Sequence, residues 1–193
     1  WGDEALSIDL PTNWSVQQIA APSVKQADDD WPQRLAAAIA RPEGMRPLGK
    51  LLEARRGGRV SVVVEDMTRH SPLPDVLEPI FRELAHAGMS DERIEIVFAT
   101  GMHPPLEPAQ AVEKIGEELA GRVRWRCNPW RDRDAYVSCG TVRDGRAAVA
   151  VTCDGGVAAA DLRILVTSVS PHLQAGFGGG YKMLHPGCAR QDT

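Results

Sequence analysis

Three segments concentrate the residue types that do chemistry. Asp66-Met67-Thr68-Arg69-His70 offers a carboxylate, a hydroxyl and a guanidinium. Gly101-Met102-His103-Pro104-Pro105 presents a histidine between turn-forming residues. Ser170-Pro171-His172 presents another and runs into Gly176-Phe177-Gly178-Gly179-Gly180-Tyr181-Lys182. Histidine can take up and return protons near neutral pH, since its ordinary pKa is ~6.5. The planar fork of arginine matches both oxygens of a carboxylate. Adjacent glycines let backbone N–H groups approach an anion, and Lys182 adds charge. The glycine segment is not a P-loop, which needs Gly before the lysine and Ser or Thr after it; Tyr181 and Met183 stand there. Each segment also has a plain structural use. Asp66 and Thr68 can cap a following helix, and Arg69 can be a solvated loop charge. His103 and His172 can be exposed loop residues, and the glycines a flexible turn.

The elements around these segments decide whether they can meet. Residues 59–65 (RVSVVVE) and 93–100 (RIEIVFAT) are rich in β-branched residues, as buried strands are. Residues 162–168 (LRILVTS) read the same way, and 123–127 is a further strand candidate. Between them, 74–87 and 108–120 carry apolar residues at helical spacing. The strand–helix alternation predicts an α/β, Rossmann-like fold with a mainly parallel sheet and flanking helices. Ligands in such sheets collect beyond the C-terminal strand ends, where all three segments fall. Asp144-Gly145, between 136–141 and 147–152, predicts a peripheral antiparallel hairpin. Upstream, 31–40 reads as a helix preceded by capping acids at 28–30, and 48–56 as another stopped by Gly57-Gly58. Residues 5–10 and 16–20 read as short strands. The tail 169–187 shows no regular period.

Composition narrows the class. The 193 residues carry 22 basic and 26 acidic side chains, a poor balance for a nucleic-acid binder. Arg122, Arg124 and Arg126 alternate with Val123, Trp125 and Cys127, as on one solvated strand face. No apolar run reaches the ~18–20 residues of a membrane span. The four cysteines form no CxxC pair, and the expectation is reduced thiols in a cytoplasmic protein. The chain begins with Trp1, so the native start is expected elsewhere.

Together, DMTR at 66–69, ATGMH at 99–103 and SPHLQAGFGGGYKMLHPG at 170–187 resemble the nickel-dependent lactate racemase family. The resemblance covers roughly residues 59–187, and its most specific part is the His172-to-Lys182 spacing with the intervening glycines. It implies a racemase or epimerase acting on lactate or a related 2-hydroxy acid. It further implies a nickel-pincer nucleotide, a pyridinium mononucleotide holding nickel between two sulfurs and a ring carbon, attached covalently at Lys182. His103 and His172 would be the alternating acid–base groups and Arg69 the holder of the substrate carboxylate. Asp66, Thr68, Gly178, Gly179 and Gly180 would help to form the cofactor site. The resemblance also implies a second α/β domain, so that 1–193 is an N-terminal domain with about half of an active site. The family's nickel-binding histidine lies past the position of Gly187, and no residue here is assigned as a metal ligand. Met102 stands where the family often has threonine, and His70 where it often has proline. The readings that remain beside the enzyme are a nucleotide- or phosphate-binding module without catalysis, and an isolated domain inert until paired.

Overall fold

The computed structural model describes residues 9–15, 28–55, 57–145, 147–173 and 175–192. Of the strand read over 5–10, residues 5–8 lie outside them and Asp9 and Leu10 form no strand; the strand read over 16–20 lies outside them. In chain order the helices and strands are α1 (Trp31–Ala40), α2 (Leu48–Glu53), β1 (Val60–Val64), α3 (Leu73–His86), β2 (Ile94–Phe98), α4 (Pro108–Ile115), α5 (Glu117–Arg122) and β3 (Arg124–Cys127). There follow β4 (Tyr136–Asp144), β5 (Ala147–Asp154), α6 (Gly155–Ala159), β6 (Leu162–Val166), β7 (Ser170–His172) and β8 (Gly176–Gly178).

The four strands β3-β2-β1-β6 form one parallel sheet. Its centre is β1, buried at every position, which suits a strand covered on both faces. Alternation sends Val60, Val62, Val64, Ile94, Ile96 and Phe98 into one core beneath the helices, with Leu73, Leu77, Ile80 and Leu84 of α3. Each such side chain contributes about 1.5–3 kcal/mol by leaving water. Val63 and Val97 point to the other face and meet Val157 of α6 with Met183 and Cys188 of the tail. Register aligns Val64 with Phe98 and Val166, and Phe98 with Cys127, so the C-terminal ends of all four strands lie at one rim. The α/β fold with a parallel sheet is the expected one, and β4 and β5 form the expected antiparallel hairpin, bulged between Ser138 and Gly140.

Several local expectations fail for identifiable reasons. The helix read over 108–120 breaks at Gly116, whose φ of +85° belongs to the left-handed region that glycine tolerates. Asp30, at the N-cap of α1, makes no side-chain cap; it pairs with Arg34 at 3.2 Å, and Asp28 pairs with Arg34 at 3.6 Å. The helix read over 48–56 ends at Glu53. The unperiodic tail forms the β7–β8 hairpin and a short 3-10 turn over Gly180–Met183, and buries Met183 and Cys188. The small helix α6 had a usable signal, since the Asp154 side chain accepts from the Val157 N–H at 2.9 Å. Arg126 is no solvated charge. It makes a two-pronged pair with buried Asp154 at 2.6 and 2.7 Å and reaches Glu95 at 3.1 Å.

Candidate active site

Asp66 lies two residues past the buried end of β1 and makes no helix cap; α3 begins at Leu73 without any side-chain cap. Its carboxylate divides its work. Oδ1 accepts from the Thr68 N–H at 3.0 Å and the Thr68 hydroxyl at 2.5 Å. Oδ2 lies 2.5 Å from Nδ1 of His103. His103 comes from the β2 rim, so this contact joins the first two sequence segments. Its main chain is fixed by its N–H donating to the Thr100 carbonyl and its own carbonyl accepting from the Trp130 indole at 3.2 Å. The ring stays open to solvent, with 59% of the side chain exposed.

Arg69 lies in the same loop and reaches the third segment. Its Nη2 is 3.1 Å from where a Cβ on Gly178 would stand. Gly178 pairs with Ser170, and His172 with Gly176, so Arg69 rests against the ribbon that carries His172. The Nδ1 of His172 accepts from the Ala175 N–H at 3.1 Å. Gly179, at φ +86°, passes so close to the Ser168 carbonyl that a Cβ would collide with it. A structural reason for this glycine is thus visible, whereas the Cβ position of Gly180 faces open space. Lys182 follows in the 3-10 turn, half-buried, and its amine has no carboxylate partner among the described residues.

A set of residues that the sequence patterns did not single out ties the segments together. Glu65, 2% exposed, accepts from the N–H and hydroxyl of Ser168 at 2.8 Å each and from the hydroxyl of Ser71. Lys114 of α4, also buried, stands 3.4 Å from Glu65 and donates to the Arg69 carbonyl at 2.5 Å. Burial alone would raise the pKa of Glu65. The Ser168 N–H, the Ser71 and Ser168 hydroxyls and the Lys114 charge outweigh it and hold the pKa below the ordinary value. Asn128, at the end of β3, donates to the carbonyls of Gly101 and Ala189 and accepts from the Tyr136 hydroxyl.

Burial makes Cys127, Cys153 and Cys188 reluctant to ionise. All four cysteines are free; burial raises Cys127 and Cys188, and moves Cys153 up to about 11. A separate cleft of about 640 Å³ opens near the N-terminal strand ends, lined by Arg59, Ser61, Glu95, Arg124, Arg126 and Asp154 among others. It contains none of the candidate residues, and its charges largely neutralise one another. The C-terminal rim, by contrast, combines a carboxylate-backed imidazole, a guanidinium, a second imidazole and an amine. It also exposes Met102, Val169, Leu173, Phe177 and Tyr181. Among the described residues, no helix is long and apolar enough to cross a membrane, and no cluster of three or more His, Cys, Asp or Glu side chains could hold a metal.

The comparisons with known proteins follow the same lines. The chain is 32% identical to the lactate racemase of Lactiplantibacillus plantarum over 151 residues, 76% of this chain and 34% of that protein. It is 26% identical to the lactate racemase of Thermoanaerobacterium thermosaccharolyticum over 98% of this chain and 43% of that one. The chain therefore spans less than half the length of these relatives. The solved apoprotein of the Thermoanaerobacterium enzyme superposes with a TM-score of 0.66 at 25% identity, covering 83% of this chain and 37% of that structure. A Thermotoga maritima protein at 21% identity and a TM-score of 0.65, covering 83% and 39%, shares the fold. Because the family model described as the lactate racemase N-terminal domain matches residues 1–193 throughout, the chain belongs to that family.

Proposed function

We propose that this chain is the N-terminal domain of a cytoplasmic racemase or epimerase of a 2-hydroxy acid, lactate or a close analogue. The observation that carries the proposal is the Asp66–His103 pair on the same rim as Arg69 and the His172 ribbon. A binding module has no need of an imidazole held by a buried carboxylate, whereas a proton-transfer site does. The matched relatives bear the name lactate racemase. The free thiols support a reducing compartment.

The α-hydrogen of a 2-hydroxy acid is a poor proton, because the neighbouring carboxylate is already charged. It leaves more readily with the bonding electron pair while a base takes the hydroxyl proton. The nickel-pincer nucleotide, when bound, supplies the hydride acceptor that no side chain provides. The residues present suit such a group: the half-buried Lys182 amine has no carboxylate partner among the described residues, and Gly180 leaves open space beside it. Lys182 would hold the cofactor through a covalent bond from its amine, with the 178–180 backbone alongside. Arg69 binds both oxygens of the substrate carboxylate. His103, steadied by Asp66, takes the hydroxyl proton of one enantiomer, and His172 serves the other.

Hydride chemistry requires exclusion of water. His103 is open to solvent, and Leu173 and Tyr181 are almost wholly exposed, so this rim needs a cover. A second α/β domain closing over the apolar rim meets that need, and the 193-residue chain alone is expected to be inactive. The test is chiral chromatography of lactate and other 2-hydroxy acids incubated with the cofactor-loaded full-length protein. Racemisation lost about 10²–10⁴-fold in both directions in His103→Ala and in His172→Ala supports the reading. Absence of racemisation with every 2-hydroxy acid by a loaded protein refutes it.

A further inference from the structure

Among the described residues, buried polar side chains hold the rim at two places, and each place holds a different part. Glu65 and Lys114 fix the 66–71 loop, which carries Arg69, against Ser168. The loop that carries His103 and the turn that carries Lys182 are joined elsewhere, at Asn128. We propose that Asn128 is a positioning residue of the site, whose side-chain amide sets where His103 stands relative to the Lys182 turn. The proposal rests on the reading of the site as a racemase with His103 as a base and its cofactor at Lys182. The tie itself stands on geometry.

Asn128 directly follows β3 and is 3% exposed. Its own N–H donates to the Phe98 carbonyl at 3.0 Å, which pins it to the end of β2. Its Nδ2 donates to the carbonyls of Gly101 and Ala189, at 3.0 Å each. Carbonyls only accept, so the amide has one orientation, and Oδ1 accepts from the Tyr136 hydroxyl at 2.8 Å. Gly101 belongs to the loop of His103, and Ala189 to the segment that runs on from the Lys182 turn. Main-chain bonds complete the circuit. The Gly101 N–H donates to the Gly187 carbonyl at 2.9 Å, and the Gly187 N–H to the Lys182 carbonyl at 3.0 Å. The Asn128 carbonyl accepts from the Trp130 N–H at 3.0 Å, and the Trp130 indole donates to the His103 carbonyl. His103 and Lys182 are thus both referred, through their main chain, to one buried side chain.

An amide of this length supplies two N–H groups at once. A carboxylate in its place would set charge against two carbonyl oxygens, and an aliphatic side chain would leave both carbonyls without that donor. The ring of His103 is largely open to solvent, so its place depends on its main chain and on Asp66. Asp66 steadies the imidazole from the β1 side of the rim, and Asn128 relates it to the Lys182 turn. A site that takes a proton from one substrate atom and hydrogen from the next needs its base and its cofactor anchor at a fixed separation. A misplacement of about 1 Å can cost about 10²-fold in rate. Loss of the Asn128 amide should therefore fall on turnover. Arg69 sits on the loop held by Glu65 and Lys114, so binding of the substrate carboxylate should be spared.

The test uses the cofactor-loaded full-length protein. Asn128→Leu keeps the side-chain volume and removes both N–H donors. Its kcat for a racemised hydroxy acid is expected to fall about 10–10²-fold, with KM changed by less than about twofold. Intact-protein mass spectrometry should still show the covalent adduct. Leu84→Ala, in the helix-side core, controls for lost stability and should keep the wild-type kcat when assayed well below its Tm. Amide hydrogen exchange gives a readout without turnover. In wild type the Gly101 and Gly187 amides should open as one unit, with protection within about tenfold of each other. In Asn128→Leu both should lose protection, and by more than the amides of β1 do. Wild-type protection that differs by more than about tenfold would overturn the proposal, whether or not Asn128→Leu folds. So would a folded Asn128→Leu with wild-type kcat, or one whose KM rises as much as its kcat falls. A loaded wild type that racemises no 2-hydroxy acid would refute the proposed function instead, and the exchange result would then decide the tie by itself.

Discussion

Replacing Glu65 by Ala tests whether a buried ion pair holds the rim together. The substitution removes the acceptor for Ser168 and Ser71 and leaves the Lys114 ammonium buried with the Arg69 carbonyl as its remaining partner among the described residues. Lys114 is 6% exposed, so water cannot replace the lost carboxylate. Removing one partner of a buried pair costs about 3–5 kcal/mol. For a chain of this size each kcal/mol moves Tm by about 2–4 °C, so the expected loss is about 6–20 °C in a calorimetric melt at pH 7. The pH dependence has a definite sign. Glu65 is held below its ordinary value of 4.5, so its contribution is complete above that pH and is lost as pH falls through the folded-state pKa. The Tm gap between wild type and Glu65→Ala should therefore narrow on acidification below pH 4.5. Adding Lys114→Met to Glu65→Leu, which removes both charges, should recover part of the loss. A Tm change under 2 °C, or a gap that stays constant down to acid unfolding, would refute the assignment of Glu65 as the tie between the loops.

Lys182→Ala in the cofactor-loaded full-length protein should abolish covalent retention, read as loss of the added mass in intact-protein mass spectrometry. Arg69→Ala should raise KM for the hydroxy acid more than it lowers kcat, in steady-state kinetics, because it removes the carboxylate's partner and leaves both histidines in place. Gly179→Ala should cost about 1–3 kcal/mol in thermal melts, since the backbone is left-handed there and a Cβ meets the Ser168 carbonyl.

The parallel sheet was legible because its strands are β-branched runs and its alternation with helices leaves few topologies. The rim was legible because polar residues at the ends of apolar strands stand out. What the pattern does not contain is the pairing of distant charges. Glu65 closes an apolar strand, and Lys114 sits with Ala111 and Ile115 on the buried side of α4. Each was readable as an anomaly, but their meeting across 49 residues depends on helix placement. Asp66 suggested a cap for the next helix because capping is local chemistry, whereas its actual partner His103 lies 37 residues on. The tail escaped because Met183 and Cys188 enter the second core from turns, which leave no period. Gly116 splits an otherwise continuous apolar pattern, and periodicity does not register one backbone angle.

Two adjacent carboxylates follow β1, and the structure gives them different tasks. The donors to Glu65 come from three separate parts of the rim, and one of them is a buried ammonium. The partners of Asp66 are its own loop and an imidazole open to solvent. Losing Asp66 exposes groups that water can reach, which limits the cost to about 1–2 kcal/mol. Losing Glu65 leaves a charge that water cannot reach. Asp66→Ala should therefore melt within about 2–8 °C of wild type while it removes the partner of the His103 ring. Glu65→Ala should melt much lower and leave the Asp66–His103 contact in place for as long as the protein is folded. If Asp66→Ala proves the more destabilising of the two, the rim's rigidity runs through Asp66, and the division of labour between these neighbours is wrong.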